Sequence, residues 1–274
     1  MTAPSLLAPR LRAAFAAPRA VRAGLIPYLT AGYPDMTTSD RLIETLIERG
    51  ADIVELGLPF SDPIADGPVV QRSAHEALLC GITPDHVFEL AAAHSAAVPF
   101  VVLTYLNPVL AYGVERFFDH ARRAGVEALV IPDLPLDEAS PFVERARASA
   151  LAIVPMATPT STDGRLELLA RAACESPFVY CVATTGVTGA RAALSDDLPG
   201  LVARLRARTK TPLAVGFGVS TPAQAAKIAR LADGVIIGSA LIDLVSCAAD
   251  EESACQAVGD LVGAAARAIL TSTV

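Results

Sequence analysis

Two carboxylates and a group of glycines late in the chain are the residues best placed to do chemistry. Glu55 stands near the end of an apolar run, Ile53, Val54, Glu55, Leu56, and Asp66 follows in a loop punctuated by Pro59, Pro63 and Pro68. Acidic groups emerging from the C-terminal end of a strand are where a parallel barrel keeps its reactive residues. A carboxyl half-buried there has its pKa raised by desolvation, which suits it to pass protons near neutrality. Two such acceptors facing each other across a substrate can protonate a carbon and polarise a ring N–H. The plainer alternatives are a hydrogen-bonded structural carboxylate for Glu55 and a turn-forming residue before Gly67 for Asp66.

The glycines recur in three turns, TTGVTGA, GFGVS and GSAL, each following a late apolar run. Glycine lets an oxyanion approach the backbone closely, and helix N-termini in the late loops of barrels bind phosphate through N–H groups. Gly189, Gly218, Gly238 and the hydroxyl of Ser239 are the candidates. Such a cradle explains how a chain of net charge −7 could hold a dianion without a cluster of lysines.

The same charge argues against a sequence-independent grip on nucleic acid, which needs a basic surface. Cys80, Cys174, Cys181, Cys247 and Cys255 show no CxxC or CxxH spacing, which fits buried thiols in a reducing, cytoplasmic compartment. No histidine neighbours a cysteine, so no metal site is expected. No apolar run reaches the length of a membrane span, and no membrane association is expected. Residues 1–23 are rich in Arg and Ala and lack acids, a pattern shared with transit peptides. They are read instead as an amphipathic first helix with Leu6, Leu7, Leu11 and Phe15 on one stripe.

The elements that must position these residues alternate regularly. Strands are expected at 25–30, 53–56 and 100–105, then within EALVIPDLP, LAIVPMATP, FVYCVATTG, PLAVGFGVS and ADGVIIGSALI. Between them lie helical patterns such as SDRLIETLIERG, with Ser39 as N-cap and Gly50 as stop, and a final helix over 252–269. Eight strand–helix alternations with short connections and no break in composition predict a (β/α)8 TIM barrel, an α/β fold of one domain, with an extra N-terminal helix. A doubly wound open sheet would need fewer strands and a reversal of strand order.

With the elements placed, ELGLPFSDPIADGPVVQ, PYLTAGYPD, the GVTG segment and GFGVS together resemble the tryptophan synthase alpha subunit, over about residues 25–241. That resemblance implies a barrel lyase cleaving indole-3-glycerol phosphate to indole and glyceraldehyde 3-phosphate in tryptophan biosynthesis. It implies no cofactor in this subunit, with pyridoxal phosphate in a beta subunit that receives the indole, within an α2β2 heterotetramer. By position, Glu55 matches the family's general acid/base, Asp66 the carboxylate that accepts the indole N–H, and Tyr180 an active-site tyrosine. Gly189, Gly218, Gly238 and Ser239 fall on phosphate-binding positions, in agreement with the cradle. Tyr28, Leu103, Val130, Met156 and Phe217 fall where the family lines its indole pocket, and plain barrel packing explains each of them as well. Thr188 matches a threonine of the lid, 184–199, that meets Asp66 when the site closes to exclude water. Asp62, in the active-site loop 58–70, and the Asn107–Pro108 turn match surfaces facing the beta subunit. Ala183 stands where many relatives carry Ser, so a different hydrogen bonding at the lid is expected. The alternative is a stand-alone indole-3-glycerol phosphate lyase that releases free indole. An inactive regulatory partner fits poorly with an intact Glu55, Asp66 and Tyr180, and another sugar-phosphate barrel enzyme would share the cradle but not this acid loop.

Overall fold

The computed structural model describes residues 7–19, 22–182, 197–216 and 218–272. Its centre is a parallel sheet of β1 (Gly24–Thr30), β2 (Val54–Gly57), β3 (Phe100–Leu103), β4 (Val126–Val130), β5 (Ala152–Val154), β6 (Met156–Ala157), β7 (Val179–Val182), β8 (Leu213–Gly216) and β9 (Gly234–Ile237). The spatial order is β5-β4-β3-β2-β1-β9-β8-β7-β6, so the first and last strands are neighbours. The two ends of that order, β5 and β6, are separated in the chain only by Pro155. They are halves of one strand, and the sheet closes there into an eight-membered (β/α)8 barrel. Proline has no N–H for the ladder, yet its carbonyl still accepts from the Tyr180 N–H at 3.0 Å. This break is the reason one expected strand appears as two segments.

The strands are buried nearly throughout, as apolar runs covered on both faces must be. Around them lie α1 (Pro9–Arg19), α2 (Met36–Glu48), α3 (Pro68–Leu79), α4 (Pro84–His94), α5 (Leu106–Tyr112), α6 (Val114–Arg123), α7 (Ser140–Ala148), α8 (Asp163–Ala173), α9 (Leu198–Arg206), α10 (Pro222–Ala229), α11 (Ser239–Cys247) and α12 (Glu251–Thr271). In α2 the cap is Asp35, whose side chain accepts the Thr38 N–H, and not the expected Ser39, which lies within the helix and accepts the Gly32 N–H at 3.0 Å. Leu42, Ile43 and Leu46 turn one face of the helix into the core. Leu11 and Phe15 of α1 are buried at the foot of the barrel, where Phe15 meets Phe178 at a ring separation of 5.3 Å. Leu6, expected on the same stripe, lies outside the described residues.

Two elements depart from the sequence reading. The third strand stops at Leu103, and Tyr105 becomes the N-cap of the short helix α5. Pro108 is tolerated there because the first turn of a helix has no internal partner for its N–H, and the Leu106 N–H donates to Asp133 at 2.9 Å. The last apolar run likewise ends at Ile237, and GSALI turns at Gly238 into α11. Both changes place a helix N-terminus at the mouth of the barrel.

Candidate active site

Glu55 is the second residue of β2, in register with Tyr28 on β1 and Val101 on β3. It is 1% exposed, and neither carboxylate oxygen has a hydrogen-bond partner among the described residues. A buried charge without partners is expensive, so the carboxyl holds its proton. Burial, reinforced by the charge of Asp66, pushes its pKa up to about 8.

Asp66 sits on the loop between β2 and α3, itself buried. Its N–H donates to the Pro63 carbonyl at 3.0 Å and its carbonyl accepts from Gln71 Nε2 at 2.8 Å. The turn-forming role considered from sequence is therefore real, and it aims the side chain inward. Burial raises the Asp66 pKa to about 6, and a hydrogen bond from Tyr105 works the other way. The Tyr105 hydroxyl donates to Asp66 Oδ2 at 2.9 Å and accepts from the Ala65 N–H at 3.1 Å. Phe60 packs on the Tyr105 ring at 5.4 Å. The two carboxyls thus differ in kind: one is satisfied and readily ionised near neutrality, the other is not.

Tyr28, Asp66, Leu103, Tyr180, Gly218, Gly238 and Ser239 come together around one cavity of about 40 Å³, with Val70 and Ile236. Tyr180, on β7, is 3% exposed, and burial beside Glu55 and Asp66 keeps its hydroxyl protonated. Val130 is fully buried inside β4 and is not part of this cavity. Met156 is half-buried and lines a larger cavity of about 440 Å³ on the flank of the barrel, beside α7. Size alone would favour that flank, but Asp66, Tyr180 and the cradle line the smaller cavity. Glu55, which is not in its lining, lies close enough to act on Asp66 and Tyr180 through its charge. Convergent polar groups define a site better than volume. Gly189, Thr188, Phe217 and Ala183 lie outside the described residues.

On the far side of the cavity Gly218 adopts φ +82°, which an L side chain rarely tolerates. The adjacent helix α10 is closed to ligands by its own capping box, in which Thr221 and Gln224 satisfy each other's backbone. Helix α11 is different: its N-cap is Gly238, with no side-chain cap. The N-terminal end of α11 is therefore uncapped, and its first-turn N–H groups and the Ser239 hydroxyl are candidates to meet an anion.

Three residues escaped the sequence reading. Tyr105 was read as the end of a strand, and its placement one residue before α5 is what lets it reach Asp66. Thr30 and Ser73 form a buried hydroxyl contact of 2.7 Å beside Tyr28. A polar residue ending an otherwise apolar strand was the signal present for Thr30; nothing in the sequence marked Ser73.

The fold and the buried acids beside the cavity are those of a (β/α)8 barrel with a candidate acid–base site at its mouth. The family described as Tryptophan synthase alpha chain matches residues 15–269. A tryptophan synthase alpha chain of Pelobacter propionicus is 45% identical over 230 residues, covering 83% of this chain and 85% of its own. One from Dehalococcoides mccartyi is 46% identical over 226 residues, covering 82% and 88%. Among solved structures, a Mycobacterium tuberculosis tryptophan synthase superposes with a TM-score of 0.87 at 40% identity, covering 95% of this chain and 98% of that one. A tryptophan synthase alpha chain of Legionella pneumophila gives 0.84 at 32% identity, covering 95% and 97%. The chain belongs to the tryptophan synthase alpha chain family.

Proposed function

We propose that Glu55 and Asp66 together carry out the reaction of this family, the cleavage of indole-3-glycerol phosphate in tryptophan biosynthesis. The protein is a lyase. In the retro-aldol step the bond between indole C3 and the carbinol carbon breaks and its electron pair passes into the ring system. Glu55 gives its proton to C3, and the carboxylate so formed takes up the proton of the carbinol hydroxyl as that hydroxyl becomes the aldehyde of glyceraldehyde 3-phosphate. Breaking that bond requires C3 to be protonated first, so the general acid must hold a proton near neutrality. Glu55 does, because it is buried without partners among the described residues, and that single observation carries the assignment. Asp66, held by Tyr105, accepts the indole N–H, whose acidity rises as the ring becomes positive. Tyr180 closes the cavity beside both acids. The phosphate rests on Gly218, Gly238 and Ser239, with the N-terminus of α11 beneath it; Gly189 is assigned to the same cradle and Thr188 to the lid by the family pattern alone.

Every step moves a proton between groups this chain owns, so no cofactor is assigned to it, and pyridoxal phosphate belongs to the beta subunit. The chain is treated as one catalytic domain working in the cytoplasm within an α2β2 heterotetramer. Exposed apolar side chains support a partner surface beside the site: Ile64 is 79% exposed two residues after Asp62, and Leu110 is 50% exposed on α5, next to Asn107–Pro108. Indole release from indole-3-glycerol phosphate by the purified chain, with and without a cognate beta subunit, tests this reading. Weak release alone with strong activation by the partner is expected. Fast release that ignores the partner would mark a stand-alone lyase, and no release in either case would remove the assignment.

A further inference from the structure

The mouth of the barrel holds a chain of hydroxyls that the reaction above leaves unused. Tyr28 Oη lies 3.3 Å from Thr30 Oγ1, Thr30 Oγ1 lies 2.7 Å from Ser73 Oγ, and Ser73 Oγ donates to the Val70 carbonyl at 2.9 Å. All three side chains are buried. A hydroxyl has one proton to give and two lone pairs with which to accept. Ser73 gives its proton to the carbonyl, so Thr30 donates to Ser73. Thr30 then has only acceptor capacity left, and the Tyr28 hydroxyl donates to it. Burial keeps that hydroxyl neutral, so the proton is always present. Relayed through the chain, the Val70 carbonyl turns Tyr28 Oη into an acceptor toward the cavity it lines.

Tyr28 also stands between the two halves of the site. Its ring crosses Gly57 at the end of β2, where an added Cβ would come within 2.1 Å of the hydroxyl. On the other side it packs on Gly238 of the cradle, where a Cβ would lie 3.3 Å from the ring. Glu55 is its register partner. The glyceryl chain of the substrate spans the same interval, joining the indole at the acids to the phosphate at the cradle. Of its two hydroxyls, the one beside the ring surrenders its proton in the reaction. The other, one carbon nearer the phosphate, keeps its proton throughout and needs an acceptor.

We propose that Tyr28 Oη accepts a hydrogen bond from this second glyceryl hydroxyl and is the residue that selects for it, with Thr30 and Ser73 as positioning residues that fix its proton. The proposal rests on the assignment of the acids and the cradle above. A site built to bond a substrate hydroxyl disfavours the analogue that lacks it, and one neutral hydrogen bond makes that preference about tenfold.

The test compares two substrates: indole-3-glycerol phosphate, and the analogue lacking only the hydroxyl nearer the phosphate. The analogue keeps its carbinol, so the same retro-aldol step releases indole and 3-phosphopropanal. The wild-type chain, with its beta subunit, should prefer the natural substrate about tenfold in kcat/KM. Tyr28→Phe should lose about tenfold more on the natural substrate than on the analogue, so that the preference vanishes. Thr30→Val, which frees the Tyr28 proton to turn inward, should lose the preference too, and Thr30→Ser should restore it. Equal losses on both substrates in Tyr28→Phe would make the residue simple packing and overturn the proposal. A preference that survives in Tyr28→Phe, or none in the wild type, would overturn it as well. A wild-type chain that cleaves neither compound would overturn the assignment of the reaction itself.

Discussion

Among the described residues two glutamates are buried in the barrel, Glu127 against the foot helix α1 and Glu55 beside the acid loop of the mouth. Glu127, near the start of β4, is 3% exposed, and its Oε2 accepts the N–H groups of Arg10 and Leu11, both at 3.0 Å. It receives the first turn of α1, whose N–H groups have no partner within the helix. Glu55, the second residue of β2, is equally buried and has no partner among the described residues. One residue type at one level of burial is thus an anchor where backbone donors are brought to it and a proton reservoir where none are. Each is the second residue of its strand, so the contrast comes from what the side chain meets. For Glu127 that is the first turn of α1 at the foot, and for Glu55 the acid loop at the mouth, where a barrel carries its chemistry.

The largest expected effect breaks the comparison at the mouth. Glu55→Gln should fold normally, with unchanged circular dichroism, and lose turnover by about three orders of magnitude, since general acid–base groups contribute roughly 10² to 10⁴. A variant retaining more than about a tenth of the activity would return Glu55 to the structural class of Glu127.

Tyr105→Phe should have an intermediate effect. The lost hydrogen bond stabilises the charged form of Asp66, so its removal raises a pKa that already stands at about 6. The acid limb of the pH–rate profile, where activity falls as Asp66 takes up a proton, should move to higher pH, with roughly tenfold lower turnover at pH 6. An unmoved limb would detach Asp66 from the chemistry.

The smallest effect on rate belongs at the foot. Glu127→Ala strands two backbone donors and should cost about 1–3 kcal/mol of stability, seen as a melting temperature lower by several degrees. Activity per folded molecule should not change. A selective loss of turnover would show that the two ends are coupled.

Much of this was legible in the sequence, for identifiable reasons. The eight apolar runs could be counted because a parallel sheet buries both faces of its strands, leaving little polar interruption. Glu55 stood out for the same reason, as a charged residue inside such a run. Asp66 was visible with the turn that places it. Gly218 and Gly238 were legible because close backbone approach needs glycine. What stayed hidden depends on where chain segments meet. Tyr105 reaches Asp66 only because the strand ends early and α5 begins, a choice made by Asp133 accepting the Leu106 N–H from a separate loop. Ser73 meets Thr30 across 43 residues, and hydroxyls at that separation carry no pattern. The Pro155 break could not be read either, because a single proline ends a strand in one context and is spanned in another.

The most direct measurement is the titration of Glu55 itself, followed by carbon-13 NMR of glutamate side-chain carboxyls and assigned by the signal missing in Glu55→Gln. The expected result is a single carboxyl that keeps its proton until the pH reaches about 8. A Glu55 signal that titrates near the ordinary glutamate value of about 4.3 would mean that the carboxyl is ionised at neutrality, and would contradict its role as the proton donor.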